Sequence, residues 1–158
     1  MLKKILHTIG LVFLALFLQV TLGDWISIQD IRPDFLLIAV ILIARSDGKL
    51  YGEIWGFIIG LISNSIGVSL LFGLSALVKT TTGFISGFLK GSKRSMSLFN
   101  YYFIVITIML IHFIILYTIY YNSADMSLQY IVMRYVIPST FYTAAFFIII
   151  DNILPQNE

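Results

Sequence analysis

The sequence has few charged residues, few prolines and no cysteine. Charged residues make up 11% of its 158 positions, against about 25% in a typical soluble domain. So few charges cannot solvate the surface of a soluble protein of this size, which argues against a soluble catalytic domain. The absence of cysteine excludes disulfides, thiolate chemistry and cysteine-based metal sites. The net charge of +2 is too small and too scattered to indicate nucleic-acid binding.

Apolar residues are correspondingly abundant, at 59% of the chain, and the mean hydropathy is +0.95. Because they form long continuous runs along the whole chain, they predict helices in a lipid bilayer rather than one soluble core. We predict an all-α fold, a single integral membrane domain (1–158) built as a compact bundle of about six transmembrane helices. The predicted spans are 5–22, 33–45, 51–65, 70–89, 101–121 and 129–150. The first is interpreted as a retained anchor rather than a cleaved signal peptide. Whether the short segment 35–44 fully spans stays open.

The basic residues orient these spans. Seven of the ten Lys and Arg residues fall on the side that holds the amino terminus: Lys3, Lys4, Arg45, Lys49, Lys90, Lys93 and Arg94. The opposite side has Arg32 as its one basic residue, together with four acids: Asp24, Asp30, Asp34 and Asp125. Since basic loops stay in the cytoplasm, this distribution predicts that both termini are cytoplasmic.

Glycines recur at every fourth position in two neighbouring spans. The third predicted span carries Gly52, Gly56 and Gly60, and the fourth carries Gly83 and Gly87. Residues four apart share one helical face, and a glycine face lets a second helix approach closely. The two spans are therefore predicted to form a tight antiparallel hairpin. Two interpretations stay open: the faces pack inside the bundle, or one of them receives a partner helix.

Three polar residues lie inside predicted spans: Asn64, Lys79 and His112. A charge at mid-membrane requires a polar partner, and we expect Asn64 or Glu53 to serve Lys79. Packing and a ligand or transport site are the two possible roles of Lys79. His112 is interpreted as an interhelical hydrogen-bond donor, with a proton relay as the alternative. The sequence predicts no catalytic residues, metal site or cofactor.

The sixth predicted span carries two further features. Arg134 lies near its outer end, where Asp30, Asp34 or Asp125 is the expected partner. Pro138, followed by two hydroxyl residues, is expected to kink the helix because proline cannot donate a backbone hydrogen bond.

Four short motifs follow one another in the order that is found in a known protein family. Arg32-Pro33-Asp34 begins an apolar run, and the segment 52–61 has the pattern Gly-x-x-x-Gly-Phe-x-x-Gly-Leu. A Gly-Leu-Ser-Ala-Leu segment (73–77) then precedes Gly83. Over residues 1–91 this resembles the MreD family, small integral membrane proteins of the bacterial rod-shape machinery, or elongasome. The chain departs from the family pattern at Asn64, near which members commonly carry an acid.

The resemblance implies a non-catalytic scaffold in the bacterial inner membrane that binds the bitopic protein MreC. Through MreC it implies links to the RodA glycosyltransferase, a penicillin-binding transpeptidase and MreB filaments, and thus to peptidoglycan synthesis and cell shape. The alternative from another class is a substrate-binding subunit of an energy-coupling-factor transporter, which is similar in architecture. Such subunits often carry Ala-x-x-x-Ala in the first helix, where this chain has only Ala15.

Overall fold

A computed structural model describes residues 2–23, 25–29, 31–66, 71, 73–122 and 126–153, with side chains from residue 5 onward. The predicted turn at 67–69, the acidic residues Asp24, Asp30 and Asp125, and the side chains of Lys3 and Lys4 lie outside this description. In the described ranges, the predicted all-α fold is confirmed. The α-helices are α1 (Leu2–Thr21), α2 (Phe35–Asp47), α3 (Lys49–Ile66), α4 (Leu74–Ser86), α5 (Ser92–Ser95), α6 (Leu98–Tyr120), α7 (Leu128–Ile131) and α8 (Ile137–Ile153).

The second helix, α2, is the central element of the bundle. All eleven residues from Phe35 to Arg45 are buried, because α1, α3, α4 and α8 pack around it. A helix that is apolar on every face is stable only where it is surrounded. It begins two residues later than the predicted span 33–45, since Asp34 caps the helix and Pro33 precedes the cap. The short segment 35–44 is therefore the core of the molecule.

The helices α3 and α4 form an antiparallel hairpin beside α2. Gly52 faces Gly83, Gly56 faces Lys79, and Gly60 faces Ala76, so the residue numbers rise on one helix as they fall on the other. The chain enters α3 directly from α2 through Gly48, which has a φ of 98°. This left-handed conformation is accessible to glycine without steric strain.

The last two long helical segments complete the bundle, with α6 packed against α4 and α8. A π-helical turn, Val132–Val136, joins α7 to α8, and Pro138 is the second residue of α8. The Thr140 hydroxyl donates a hydrogen bond to the Val136 carbonyl at 2.7 Å. Beside Pro138, where the sequence predicts a kink, the segment contains a wider helical turn, in which the backbone accommodates a residue without an N–H.

Two helical segments in the described part of the chain are long and apolar enough to cross a membrane. They are α6, with 23 residues, and the continuous segment Leu128–Ile153, with 26. The apolar part of α1, Ile5–Thr21, is shorter. The helices α2 and α4 have 13 residues each, about 20 Å of helix against a bilayer core of about 30 Å. The helix α2 has the length predicted for the span 33–45 but begins and ends two residues later, whereas α4 is shorter than the predicted span 70–89, of which residues 70 and 72 lie outside the described residues.

Candidate functional site

Lys79 pairs with Asp34 inside the bundle. The Lys79 Nζ lies 2.7 Å from Asp34 Oδ2, and Lys79 is only 1% exposed. The expectation that Asn64 or Glu53 would pair with Lys79 was wrong, because Glu53 is exposed and Asn64 Nδ2, although buried, has no hydrogen-bond partner among the described residues. The physical reason lies in the hairpin. The backbone of Lys79, and not its side chain, faces α3 at Gly56, while the side chain reaches the start of α2.

Asp34 is the point at which four helices meet. Its Oδ1 accepts a hydrogen bond from the Leu37 N–H at 2.8 Å, which caps α2. The Asp34 N–H donates to the Thr143 hydroxyl of α8 at 3.2 Å, and the neighbouring Phe35 N–H donates to Gln19 Oε1 of α1 at 2.9 Å. With Lys79 from α4, these contacts connect α1, α2, α4 and α8. A carboxylate is also favourable here because the amino end of a helix carries partial positive charge.

A partly open cavity of about 380 Å³ adjoins this junction. Its polar lining comes from Gln19, Arg32, Asp34, Ser63 and Tyr117. Pro33 is buried and Arg32 is exposed, and both line the cavity. All three residues of the Arg-Pro-Asp motif therefore line one cavity.

His112 lies deep in the bundle, 1% exposed. Its Nδ1 is 2.8 Å from the Thr82 hydroxyl, which itself donates to the Val78 carbonyl at 2.7 Å. Nε2 is buried without a hydrogen-bond partner in the described part of the chain. His112 therefore links α6 to α4 by an interhelical hydrogen bond.

The five predicted glycines all lie in contacts inside the molecule. A Cβ on Gly52 or Gly83 would overlap the backbone of the other glycine, and one on Gly60 would overlap the backbone at Ala76. A Cβ on Gly87 would overlap the backbone of Lys49. The two glycine faces thus cover each other, and neither lies on the outside of the hairpin.

A second buried charge cluster lies at the other end of α2, and sequence reasoning missed it. Asp151 of α8 is completely buried and pairs with Arg45 of α2 at 2.7 Å and Lys93 of α5 at 2.6 Å. The Tyr102 hydroxyl of α6 donates to the same carboxylate at 3.1 Å. A signal was present in the sequence: Asp151 is the one acid in the segment 128–153 and lies at the end where the bases collect.

Arg134 has a backbone partner. Its guanidinium donates to the Gln29 carbonyl at 3.0 Å, and Asp34, one of its three expected partners, pairs with Lys79 instead. The other two, Asp30 and Asp125, lie outside the described residues. Arg134 therefore joins the π turn to the segment that precedes the Arg-Pro-Asp motif.

Comparison with known proteins gives no match. No protein-family model, curated protein or solved structure matches this chain.

Proposed function

We propose that this chain is a multi-pass protein of the bacterial inner membrane with six helical spans and both termini in the cytoplasm. The supporting observation is that buried charges and exposed large apolar side chains reverse the distribution that is usual in a soluble protein. Lys79 and Asp151 are buried, while large apolar side chains on several helices face outward, among them Phe13, Phe103 and Phe141, each more than 60% exposed. Water does not favour such an exterior, whereas lipid does, and lipid also requires that charges be paired inside the bundle.

Within that membrane, we propose a non-catalytic scaffold of the rod-shape machinery that binds an MreC-type bitopic protein and supports peptidoglycan synthesis. The support is the motif order in the sequence together with the use of those motifs in the fold. Asp34 of the Arg-Pro-Asp motif caps the central helix and pairs with Lys79, and Lys79 in turn contacts the glycine helix at Gly56. These contacts connect the Arg-Pro-Asp motif to the glycine helix through Lys79, and we infer that a scaffold that positions other proteins uses this connection as its frame.

The partner-binding surface of this scaffold is assigned to its apolar exterior. The glycine faces are occupied by each other, so a bitopic partner has to dock against outward side chains. Helices associate in lipid through close packing and hydrogen bonds rather than through a hydrophobic driving force. We therefore expect the partner helix to be selected by shape.

The experiment is affinity purification of the tagged full chain from membranes of a rod-shaped bacterium that expresses it in place of its own homologue. We expect a bitopic MreC-type protein to co-purify, and depletion of the chain to turn rods into spheres. A matched sample carries Glu53→Gln, a change at an exposed side chain, which should leave both results unchanged. Co-purification with an ATPase-coupled membrane subunit, or with a bound vitamin, would instead support the transporter alternative and overturn the scaffold.

A further inference from the structure

The cavity beside Asp34 reaches the outward face of α1. Val20, which lines the cavity, is 56% exposed, and Phe17, about one turn earlier on the same helix, is 63% exposed. The cavity also borders helix ends, since Gln19 is two residues from the end of α1 and Ser63 is three residues from the end of α3. In the proposed membrane location, such a cavity is entered from the lipid at the depth where headgroups meet the hydrocarbon.

The charged groups of the cavity wall already have partners in the protein. Asp34 pairs with the buried Lys79 at 2.7 Å, and Arg32 interacts with another residue of the chain. Among the described residues of the lining, the only other ionisable side chain is that of Tyr117. A charged ligand would therefore give up its hydration without gaining an unpaired partner. The wall favours an uncharged ligand.

Two side chains of the wall have hydrogen atoms left to donate. Gln19 accepts from the Phe35 N–H through its carbonyl oxygen at 2.9 Å, which leaves its amide NH₂ as a donor. The Ser63 hydroxyl accepts from the Ser75 hydroxyl at 3.3 Å, which leaves its own hydrogen able to donate. A ligand that fits these two groups carries carbonyl oxygens.

Asp34 gives the same wall an acceptor. Each of its carboxylate oxygens receives one hydrogen bond, from the Leu37 N–H at 2.8 Å and from Lys79 Nζ at 2.7 Å. Because a carboxylate oxygen has two lone pairs, each retains one acceptor position, and the side chain is 18% exposed where it borders the cavity. A hydroxyl group can donate to it, whereas a phosphodiester offers only further acceptors.

The remaining wall is apolar, and Leu36, Phe113 and Leu116 belong to it. The volume of about 380 Å³ lies in the usual range for small-molecule sites, about 300–1,000 Å³. It accommodates a glycerol unit with its ester groups but not whole acyl chains, which have to leave past Val20 toward the lipid.

We propose that this cavity binds the headgroup of a diacylglycerol, an uncharged lipid with one hydroxyl and two ester carbonyls. The hydroxyl donates to Asp34, and the carbonyl oxygens accept from Gln19 and Ser63. This inference rests on the proposed membrane location and not on the scaffold function. A chain that stays soluble without detergent would overturn the location and the site together, whereas a loss of lipid selectivity alone would overturn only the site.

The test is native mass spectrometry of the detergent-purified full chain, incubated with equal amounts of three lipids. They are dioleoylglycerol, its dioleyl diether, which lacks both carbonyls, and dioleoylphosphatidylcholine, which has the same esters but a phosphodiester in place of the hydroxyl. A typical neutral hydrogen bond is worth about fivefold in affinity. We therefore expect dioleoylglycerol to be retained at least about fivefold more strongly than either of the others.

The two comparisons separate the contacts and the source of the ester groups. Equal retention of dioleoylglycerol and the diether would overturn the proposal, because the carbonyl oxygens would then make no contact. Equal retention of dioleoylglycerol and phosphatidylcholine would also overturn it, because the esters of an ordinary phospholipid would then fill the cavity. Neither comparison requires a variant.

Two pairs of variants test the location. Ser63→Ala removes one donor and should reduce the preference for dioleoylglycerol over the diether about fivefold, whereas Ser65→Ala, at an exposed position of the same helix, should leave it unchanged. Ser63→Leu fills the cavity and should abolish the preference, and Ser65→Leu should not. The same lipid selectivity in both members of each pair would overturn the proposal.

Discussion

The two ends of the central helix hold buried charges in different ways. At the amino end, Asp34 has one cationic partner, Lys79, and its side chain is 18% exposed because it borders the cavity. At the carboxyl end, Asp151 has two cationic partners and is fully buried. Both arrangements agree with the helix dipole, since the acid of the pair caps the amino end of α2 and Arg45 lies in its last turn.

This difference indicates that the two ends contribute differently to stability. The end around Asp151, called the closed end, is fully buried, and its contacts link α2, α5, α6 and α8. The end around Asp34, called the open end, borders a partly open cavity. We therefore expect the closed end to be the more costly of the two to disrupt.

The largest expected effect is at the closed end. Asp151→Ala leaves Arg45 and Lys93 buried without a carboxylate, and we expect it to lower the free energy of unfolding by about 3–5 kcal/mol. The measurement is thermal or denaturant unfolding of the full chain in detergent. Glu53→Gln, which removes an exposed carboxylate, should change stability by less than about 0.5 kcal/mol. Similar losses in both variants would mean that Asp151 is not a buried link.

The corresponding change at the open end should have a smaller effect. Lys79→Met leaves Asp34 without its cation, but the carboxylate can be hydrated from the cavity and keeps its cap on α2. We expect a loss of about 2–3 kcal/mol in the same unfolding assay. Adding Asp34→Asn should recover part of that loss, because asparagine caps a helix without a charge. If Lys79→Met is more destabilising than Asp151→Ala, the distinction between the two ends fails.

Disrupting the contact between Gly56 and the Lys79 backbone should have an intermediate to small effect on the free energy of unfolding. Gly56→Ala places a Cβ against the Lys79 backbone, and we expect it to lower the unfolding free energy by about 1–3 kcal/mol. Gly10→Ala in α1 is the matched control, since a Cβ there meets nothing within 4 Å. It should stabilise the protein by about 0.5–1 kcal/mol through helix propensity. Stabilisation by both changes would show that α3 and α4 are not in close contact.

The smallest expected effect is the difference in stability between the variants that remove two tyrosine hydroxyls. Tyr102 donates to the charged Asp151 at 3.1 Å, whereas Tyr117 shares a hydrogen bond of 3.1 Å with neutral Ser139. Hydrogen bonds to charged groups are worth about 1.5–3 kcal/mol and neutral ones about 0.5–1.5 kcal/mol. Tyr102→Phe should therefore destabilise the protein more than Tyr117→Phe in unfolding measurements. The reverse order would contradict the charged character of the closed end.

The sequence predicted the positions of the helices better than the contacts between them. Apolar runs located the helices within a few residues, because burial in lipid or in a core requires local hydropathy. The spacing of Gly52, Gly56 and Gly60 predicted the hairpin, because helical periodicity is also local. The length of α2 was less predictable. Its burial on all faces depends on four other helices, and its start depends on the cap by Asp34.

The candidate site was predictable only in part. Arg32, Pro33 and Asp34 were identified from their motif, but the cavity that they line includes Gln19, Ser63 and Tyr117 from three other helices. Lys79 was identified as needing a polar partner, yet the partner lies 45 positions away in the chain. Asp151 was missed altogether, although a lone acid in an apolar segment is itself a signal.

The sequence by itself determined that this protein is helical, that its helices are apolar, and that α3 and α4 can approach closely through glycine. These properties are set by residues a few positions apart, and their physical causes act over one or two helical turns. Only the tertiary structure decided that Asp34 pairs with Lys79, that Asp151 binds two cations, and that a donor-lined cavity remains beside the first pair. Each of these depends on how helices distant in the chain are rotated against one another, since a charge buried in an apolar bundle is stable only where another helix brings it a partner.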